Sequence, residues 1–169
     1  LILFLRKSMR PHVAVLGRDA TKNAFAEIEE GGKATSCPFI VIVRPNQSIY
    51  FGNAEYVISD LERILQKNAK AKVLLFDGES ISFTDASSLE LLEHFIRDKH
   101  AAGISFIFVN IRKAVYEKFL RCGLVDLVGE DSFLTGKGNA IRFAKERLAT
   151  MNCGDCGAEA LKECQPNSK

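Results

Sequence analysis

The sequence has no strong excess of either charge, no long apolar segment and none of the common catalytic or nucleotide-binding signatures. Its 169 residues include 23 Lys and Arg against 21 Asp and Glu, a formal net charge of +2. Nucleic-acid-binding proteins usually carry a clear basic excess, so this balance does not favour nucleic acid as a partner. No apolar run approaches the ~20 residues that cross a bilayer as a helix. Without GxGxxG, P-loop, HExxH or GxSxG patterns, we predict no enzyme activity, cofactor or bound metal.

The cysteines also lack the regular spacing of a secreted disulfide framework, because their number, five, is odd and they are widely scattered. Cys153 and Cys156 form a CxxC pattern, and Cys164 follows eight residues later. One CxxC with a further thiol and no nearby histidine is a weak signal for zinc or redox chemistry. The alternative is that these three thiols belong to a polar tail.

The composition is that of an ordinary soluble globular domain, with 47% hydrophobic and 26% charged residues. A length of 169 residues fits one domain. We predict a juxtamembrane linker over 1–10, a domain over 11–149 with a long loop at 18–38, and a flexible tail over 150–169. The linker prediction depends on an apolar run at 1–5 followed by Arg6, Lys7 and Arg10, an order typical of the cytoplasmic edge of a membrane segment. A short amphipathic helix or strand is the alternative for this stretch.

Short runs rich in β-branched or apolar residues predict the strands. A hairpin is expected where a turn at 45–47 separates two such runs. The predicted strands are 13–17, 39–44, 48–51, 73–76 and 104–109, with a short strand or 3₁₀ turn at 132–135.

Apolar residues at helical spacing predict a helix opening at Asn53, with Asn53 as its N-cap, and three later helices. These later helices are expected at 85–102, 112–122 and 137–148. Strands 73–76 and 104–109 are each reached through a helix, so they should be parallel with right-handed crossovers. The sequence therefore predicts an α/β domain with mixed α+β character, built on a small mixed sheet.

One segment could carry a function, at residues 83–92, where a loop after an apolar strand opens a helix. Ser87 and Glu90 fit the S-x-x-E capping box, and Asp85 is a competing N-cap. A serine at a helix N-terminus is also a position where the backbone N–H groups and the helix dipole favour an anion. A phosphate at Ser87 would add up to about −2 of charge to the surface. The sequence is therefore compatible with two roles for Ser87, helix capping and phosphorylation.

Residues 83–89, Phe-Thr-Asp-Ala-Ser-Ser-Leu, resemble the strand–loop–helix signature of STAS domains, which roughly reads Phe-x-Asp-x-Ser/Thr-Gly. Two further stretches resemble the carboxy-terminal domain of SulP anion transporters. Residues 10–17 are similar to the segment that joins the last membrane helix to this domain. Residues 42–56 are similar to a family run that includes Arg44, Asn53 and Glu55. The resemblance covers roughly residues 10–148.

The resemblance implies a STAS fold with helices mainly on one face of the sheet. It also implies a non-catalytic regulatory or assembly domain of a membrane transporter for sulfate, bicarbonate or a related anion, on the cytoplasmic side of the cell membrane. Its partners would be the transmembrane domain of the same polypeptide, a second copy in a homodimer and a cytosolic regulatory protein. By the motif match, Ser87 takes the position of the phosphorylated residue of anti-sigma factor antagonists, and Asp85 the acidic residue before it. Ser88 departs from those antagonists, which have Gly there.

Two other functions stay open at this stage. A free-standing anti-sigma factor antagonist controlled by serine phosphorylation would share the same loop. A small enzyme could use Asp77 and Asp85, two carboxylates on strand-end loops, to bind a metal or to exchange protons. The structural alternative is that Asp77 ends a strand and Asp85 caps a helix.

Overall fold

A computed structural model describes residues 8–19, 21, 24–29, 32, 34–149 and 161. Its strands are β1 (Val13–Asp19), β2 (Ala24–Glu27), β3 (Ala34–Thr35), β4 (Ile40–Pro45), β5 (Val73–Asp77), β6 (Ser105–Val109) and β7 (Phe133–Leu134). Its helices are α1 (Ala54–Lys67), α2 (Ala86–Ala101), α3 (Lys113–Arg121), α4 (Leu124–Val128) and α5 (Lys137–Ala149), with a 3₁₀ turn at Glu130–Ser132. Within these residues no helix is both long and apolar enough to cross a membrane.

The strands form one mixed sheet in the order β2-β1-β4-β5-β6-β7, with β3 also paired to β1. β4, β5, β6 and β7 are mutually parallel, and β1 runs antiparallel to β4. The predicted mixed sheet is confirmed. The predicted hairpin is wrong, because β4 is hydrogen-bonded to β1 on one side and to β5 on the other, so the returning residues 48–51 have no free strand edge to pair with.

The segment predicted as a long loop, 18–38, contains the end of β1 and two short strands. Both strands pair antiparallel with β1. Gly17 allows this approach, since a Cβ there would lie 2.5 Å from the carbonyl oxygen of Thr35. These strands, AFAE and AT, are short and show no alternation of apolar and polar residues, so the sequence pattern did not predict them.

Four helices, α1 to α4, cover one face of the sheet, and α5 covers the other, so the expectation of helices mainly on one face is confirmed. The helix periodicity predicted the buried faces correctly. On α5, for example, Ala140, Ile141, Ala144 and Leu148 are all buried. Of the predicted tail, the structure describes Leu161, which is 1% exposed in the cluster on the α5 face; the remaining residues, 150–160 and 162–169, lie outside the described part.

Candidate functional site

The candidate site lies at the start of α2, where Asp85 is the N-cap in an extended conformation. Its Oδ1 accepts the amide N–H of Ser88 at 2.9 Å, and Ser88 Oγ accepts the amide N–H of Asp85 at 3.2 Å. This reciprocal pair is the capping box. Of the two predicted caps, Asp85 is therefore right, and the box proposed for Ser87 and Glu90 is wrong because the helix begins two residues earlier than that box requires.

The second carboxylate oxygen of Asp85 binds a distant segment. Oδ2 accepts the amide N–H of Phe51, in the loop before α1, at 2.9 Å. Partial burial acts to raise the pKa of Asp85, but the amides of Phe51 and Ser88, the Ser88 side chain and the charge of Lys118 outweigh it. The pKa of Asp85 is therefore held below its ordinary value, and the residue caps the helix as a carboxylate.

Ser88 is buried and lies at the same junction, the contact between the loop before α1 and the start of α2. Its Oγ lies 2.8 Å from Thr84 Oγ1 and 3.2 Å from the carbonyl oxygen of Ile49. The hydroxyl therefore joins the loop before α1 to the start of α2. Antagonists with Gly at this position would lack these contacts, so the departure seen in the sequence has a structural role here.

Ser87, by contrast, is exposed on the first turn of α2. The first half of α2 and the end of α3 line a groove of about 380 Å³, to which the neighbouring residues Asp85 and Ala86 contribute but Ser87 does not. Ala86 and Leu89 line its apolar part, and its charged lining residues have both signs: Asp85, Glu90, Glu93, Lys118 and Arg121. Lys118 Nζ also donates to the carbonyl oxygen of Thr84, which ties α3 to the loop. A modifying enzyme or a partner could reach Ser87 without opening the core.

Asn53 organises the neighbouring loop and is 1% exposed. It stands at the predicted N-cap position of α1, but its side chain makes no cap hydrogen bond. Instead, Oδ1 accepts the amide N–H of Tyr50 at 3.0 Å, and Nδ2 donates to the carbonyl oxygen of Ser48 at 3.1 Å. The side chain therefore shapes the turn that delivers Phe51 to Asp85.

The other two motif residues lie elsewhere. Glu55 is exposed on the first turn of α1, where a negative charge suits the helix dipole. Arg44 pairs in register with Ala14 and points to the α5 face of the sheet, away from the candidate site. The structure brings together Asn53, Asp85 and Ser88, but it does not include Arg44 in that group.

Sequence reasoning missed two members of the junction. Ser48 Oγ accepts the amides of Ser82 and Phe83 at 3.0 and 3.2 Å and fixes the loop before α2. Ser8, in the predicted linker, lies against the same junction: its carbonyl oxygen accepts Gln47 Nε2 at 2.7 Å and Asn53 Nδ2 at 3.3 Å. No local pattern marks these contacts, because they join residues far apart in sequence.

The two carboxylates considered for an enzyme do not share a site. Asp77 is fully buried on the α5 side of β5, where Oδ2 accepts Lys137 Nζ at 2.6 Å and Oδ1 accepts Asn110 Nδ2 at 3.3 Å. Asp85 caps α2, which lies on the other face. Within the described residues, no group of His, Cys, Asp and Glu has the arrangement of a metal site. The CxxC pattern and Cys164 lie outside those residues, whereas Cys37 is buried and Cys122 is exposed.

Fold and site together define an α/β domain with one distinctive feature, a tightly capped helix start that presents an exposed serine. The STAS domain family model matches residues 33–137, more than half of the chain, and the chain belongs to that family. "Sulfate transporter 4.1, chloroplastic" of Arabidopsis thaliana is 25% identical over 165 residues, 92% of this chain and 24% of that protein. "Low affinity sulfate transporter 3" of Stylosanthes hamata is 29% identical over 78% of this chain and 22% of that protein. The chain thus spans about a quarter of the length of these curated relatives.

Solved structures share the fold. The murine solute carrier 26 family member A9 anion transporter, in the inward-facing state, matches 86% of this chain and 24% of its own length, with a TM-score of 0.72 and 18% identity. The STAS domain of a SulP transporter from Vibrio cholerae matches 72% of this chain and 92% of its own length, with a TM-score of 0.58 and 20% identity. A putative anti-sigma factor antagonist from Thermotoga maritima matches 63% of this chain and 87% of its own length, with a TM-score of 0.54 and 16% identity. The predicted resemblance to STAS domains of SulP transporters is confirmed.

Proposed function

We propose that this chain is a regulatory and assembly domain of a SulP-type membrane anion transporter and lies on the cytoplasmic side of the membrane. The observation that carries the proposal is that similarity to sulfate transporters extends over 92% of the chain. The domain is not catalytic in this proposal: the described carboxylates Asp77 and Asp85 serve an ion pair and a helix cap. The transported anion is sulfate, bicarbonate or a related anion, and its path lies in the membrane part of the same polypeptide.

Ser87 is the proposed control point, through phosphorylation. Its exposure makes the hydroxyl accessible, while Asp85 and Ser88 beneath it are held by hydrogen bonds and form a fixed support. A phosphate at this position lies at a helix N-terminus, where negative charge is stabilised, and it adds negative charge to the exposed surface of the first turn of α2. A cytosolic regulatory protein and a second copy of the transporter are the partners that such a surface would serve.

The test is uptake of labelled sulfate and bicarbonate by the full-length protein carrying Ser87→Ala or Ser87→Asp. Ser59, also exposed but on α1, supplies matched controls as Ser59→Ala and Ser59→Asp. We expect Ser87→Asp to change uptake or assembly relative to Ser87→Ala, and the Ser59 pair to behave alike. If all four variants transport and assemble as the unmodified protein does, Ser87 is not the control point and the transporter assignment still stands.

A free-standing anti-sigma factor antagonist is the second candidate. The exposed serine after a strand and a loop favours it, because that placement exposes the hydroxyl to a kinase. The two candidates differ in the rest of the polypeptide. A parent gene that encodes no membrane-spanning segments, together with kinase-dependent modification of Ser87, would replace the transporter assignment with the antagonist.

A further inference from the structure

Exposed apolar side chains gather at one edge of the domain. Among the described residues, Phe51 and Phe83 contact Tyr50 and are 73% and 50% exposed, and Met9, next to a residue bonded to Tyr50, is 52% exposed. The Phe83 ring stacks on Tyr50 with centroids 5.9 Å apart, and the Phe51 ring meets Tyr50 edge-on at 5.9 Å. Met9 follows Ser8, whose Oγ lies 2.5 Å from the Tyr50 hydroxyl. We call Met9, Tyr50, Phe51 and Phe83 the aromatic edge.

The aromatic edge is held rigidly. The amide of Phe51 donates to Asp85, and the amide of Phe83 donates to Ser48. Both rings are therefore presented to solvent from an ordered backbone. Exposing two phenyl rings to water is energetically unfavourable. Clusters of exposed apolar side chains usually mark interaction surfaces.

An exposed arginine lies next to the aromatic edge in the chain. Arg10 is exposed next to Met9, and Arg6 and Lys7 precede Ser8 directly in the sequence. The carboxylate of Asp85, which accepts the Phe51 amide, is compensated by two N–H groups and by Lys118. In the described residues, the edge thus combines apolar rings with the exposed Arg10.

This combination is the chemistry of a surface that lies on an anionic lipid leaflet. Phe, Tyr and Met enter the boundary between headgroups and acyl chains, while Arg and Lys bind the anionic headgroups. We propose that the aromatic edge is a membrane-contacting surface, which inserts Phe51 and Phe83 into the cytoplasmic leaflet beside the point where the chain enters the domain. The proposal rests on the proposed function for its location at a membrane. Phe83 lies four residues before Ser87 in the chain. Contact of Phe83 with lipid would therefore orient Ser87, the proposed control point, relative to the membrane.

The chain contains no tryptophan, so a single introduced Trp reports its own surroundings. We would mix the 169-residue chain carrying Phe51→Trp with vesicles of phosphatidylcholine alone or with about 30% phosphatidylserine. Leu120→Trp, at an apolar side chain that is 52% exposed on α3, is the matched control. We expect the emission of the Phe51→Trp chain to shift to shorter wavelength with the anionic vesicles, and that of the Leu120→Trp chain to stay unchanged.

Co-sedimentation with the same vesicles measures the strength of binding. The double variant Phe51→Ser, Phe83→Ser should lose at least about tenfold in partitioning, since each phenyl ring removed forfeits its burial in the lipid. Arg10→Ala should lose about fivefold on anionic vesicles only. Leu120→Ser should bind as the unmodified chain does. Unchanged circular dichroism would show that the variants remain folded.

Three outcomes would overturn the proposal. They are equal shifts at positions 51 and 120, vesicle binding that survives loss of both phenyl rings, and a shift at position 51 that needs no vesicles and grows with protein concentration, which would indicate a second copy of the chain. None of these depends on transport. A failure here therefore leaves the uptake experiment to decide the proposed function, and a failure there leaves the vesicle result intact.

Discussion

The carboxylate of Asp85 bonds the amide of Phe51, 34 residues earlier in the chain, at 2.9 Å while it also caps α2. One side chain therefore fastens the loop before α1 to the start of the helix that carries Ser87. This relationship makes the geometry around Ser87 depend on two loops rather than on the helix alone. Substitution of Asp85 therefore tests both the helix cap and the link between the two loops.

Asp85→Ala and Asp85→Asn should lower the stability of the domain by different amounts. Asp85→Ala removes the cap and should lower the free energy of unfolding by about 1 kcal/mol. Asp85→Asn keeps an acceptor for the Ser88 amide, and thus the N-cap, but removes the charge and the acceptor for the Phe51 amide. Because the cap remains, its loss at neutral pH should be smaller than that of Asp85→Ala. Urea unfolding monitored by circular dichroism measures both, with Asp126→Asn, at an exposed position on α4, as the control.

The contribution of the Asp85 charge to the free energy of unfolding should depend on pH. The folded-state pKa lies below the ordinary 3.8, so the unfolded chain takes up the proton first as the pH falls. The stabilisation is therefore fully present above the ordinary value and is lost as the pH falls through the lower folded value. We expect the gap between the native chain and Asp85→Asn to be constant at neutral pH and to narrow below about pH 4. A gap that stays the same down to strongly acidic pH would contradict the assigned role of the charge.

Asn53 should be a stability residue rather than a regulatory one. Asn53→Ala leaves the amide of Tyr50 and the carbonyl of Ser48 without their side-chain partner, and we expect a loss of about 1–3 kcal/mol in urea unfolding. Asn46→Ala makes the same chemical change at an exposed position and should have little effect. Similar stability of the two variants would show that the side chain of Asn53 does not hold the loop.

Substitutions of Asp77 and Lys137 should have non-additive effects on the free energy of unfolding. Lys137→Met leaves a fully buried carboxylate without its partner at 2.6 Å and should cost about 3–5 kcal/mol. The double variant Asp77→Asn, Lys137→Met should recover much of that loss, because the uncompensated charge is gone. Lys113→Met, on the exposed start of α3, is the control for loss of a lysine. Additive losses in a double-mutant cycle would show that the pair is not coupled.

Local patterns predicted much of this protein. Apolar residues at helical spacing marked α1, α2 and α5 with their buried faces, and uninterrupted apolar runs marked β5 and β6. These features can be predicted from sequence because each helix or strand buries one or both of its faces. The spacing of its apolar residues therefore repeats within a few positions. The resemblance at residues 83–89 identified the family for the same reason, as a short contiguous motif.

Tertiary structure alone decided the pairing of β4, the choice between Asp85 and Ser87 as cap, and the anchoring of Ser8. β4 takes β1 and β5 as neighbours, which leaves residues 48–51 to form a loop instead of a strand. The contacts of Asp85 with Phe51 and of Asn53 with Ser8 join residues 34 and 45 positions apart. Such contacts depend on how separate elements pack against each other, and no spacing within one element encodes them.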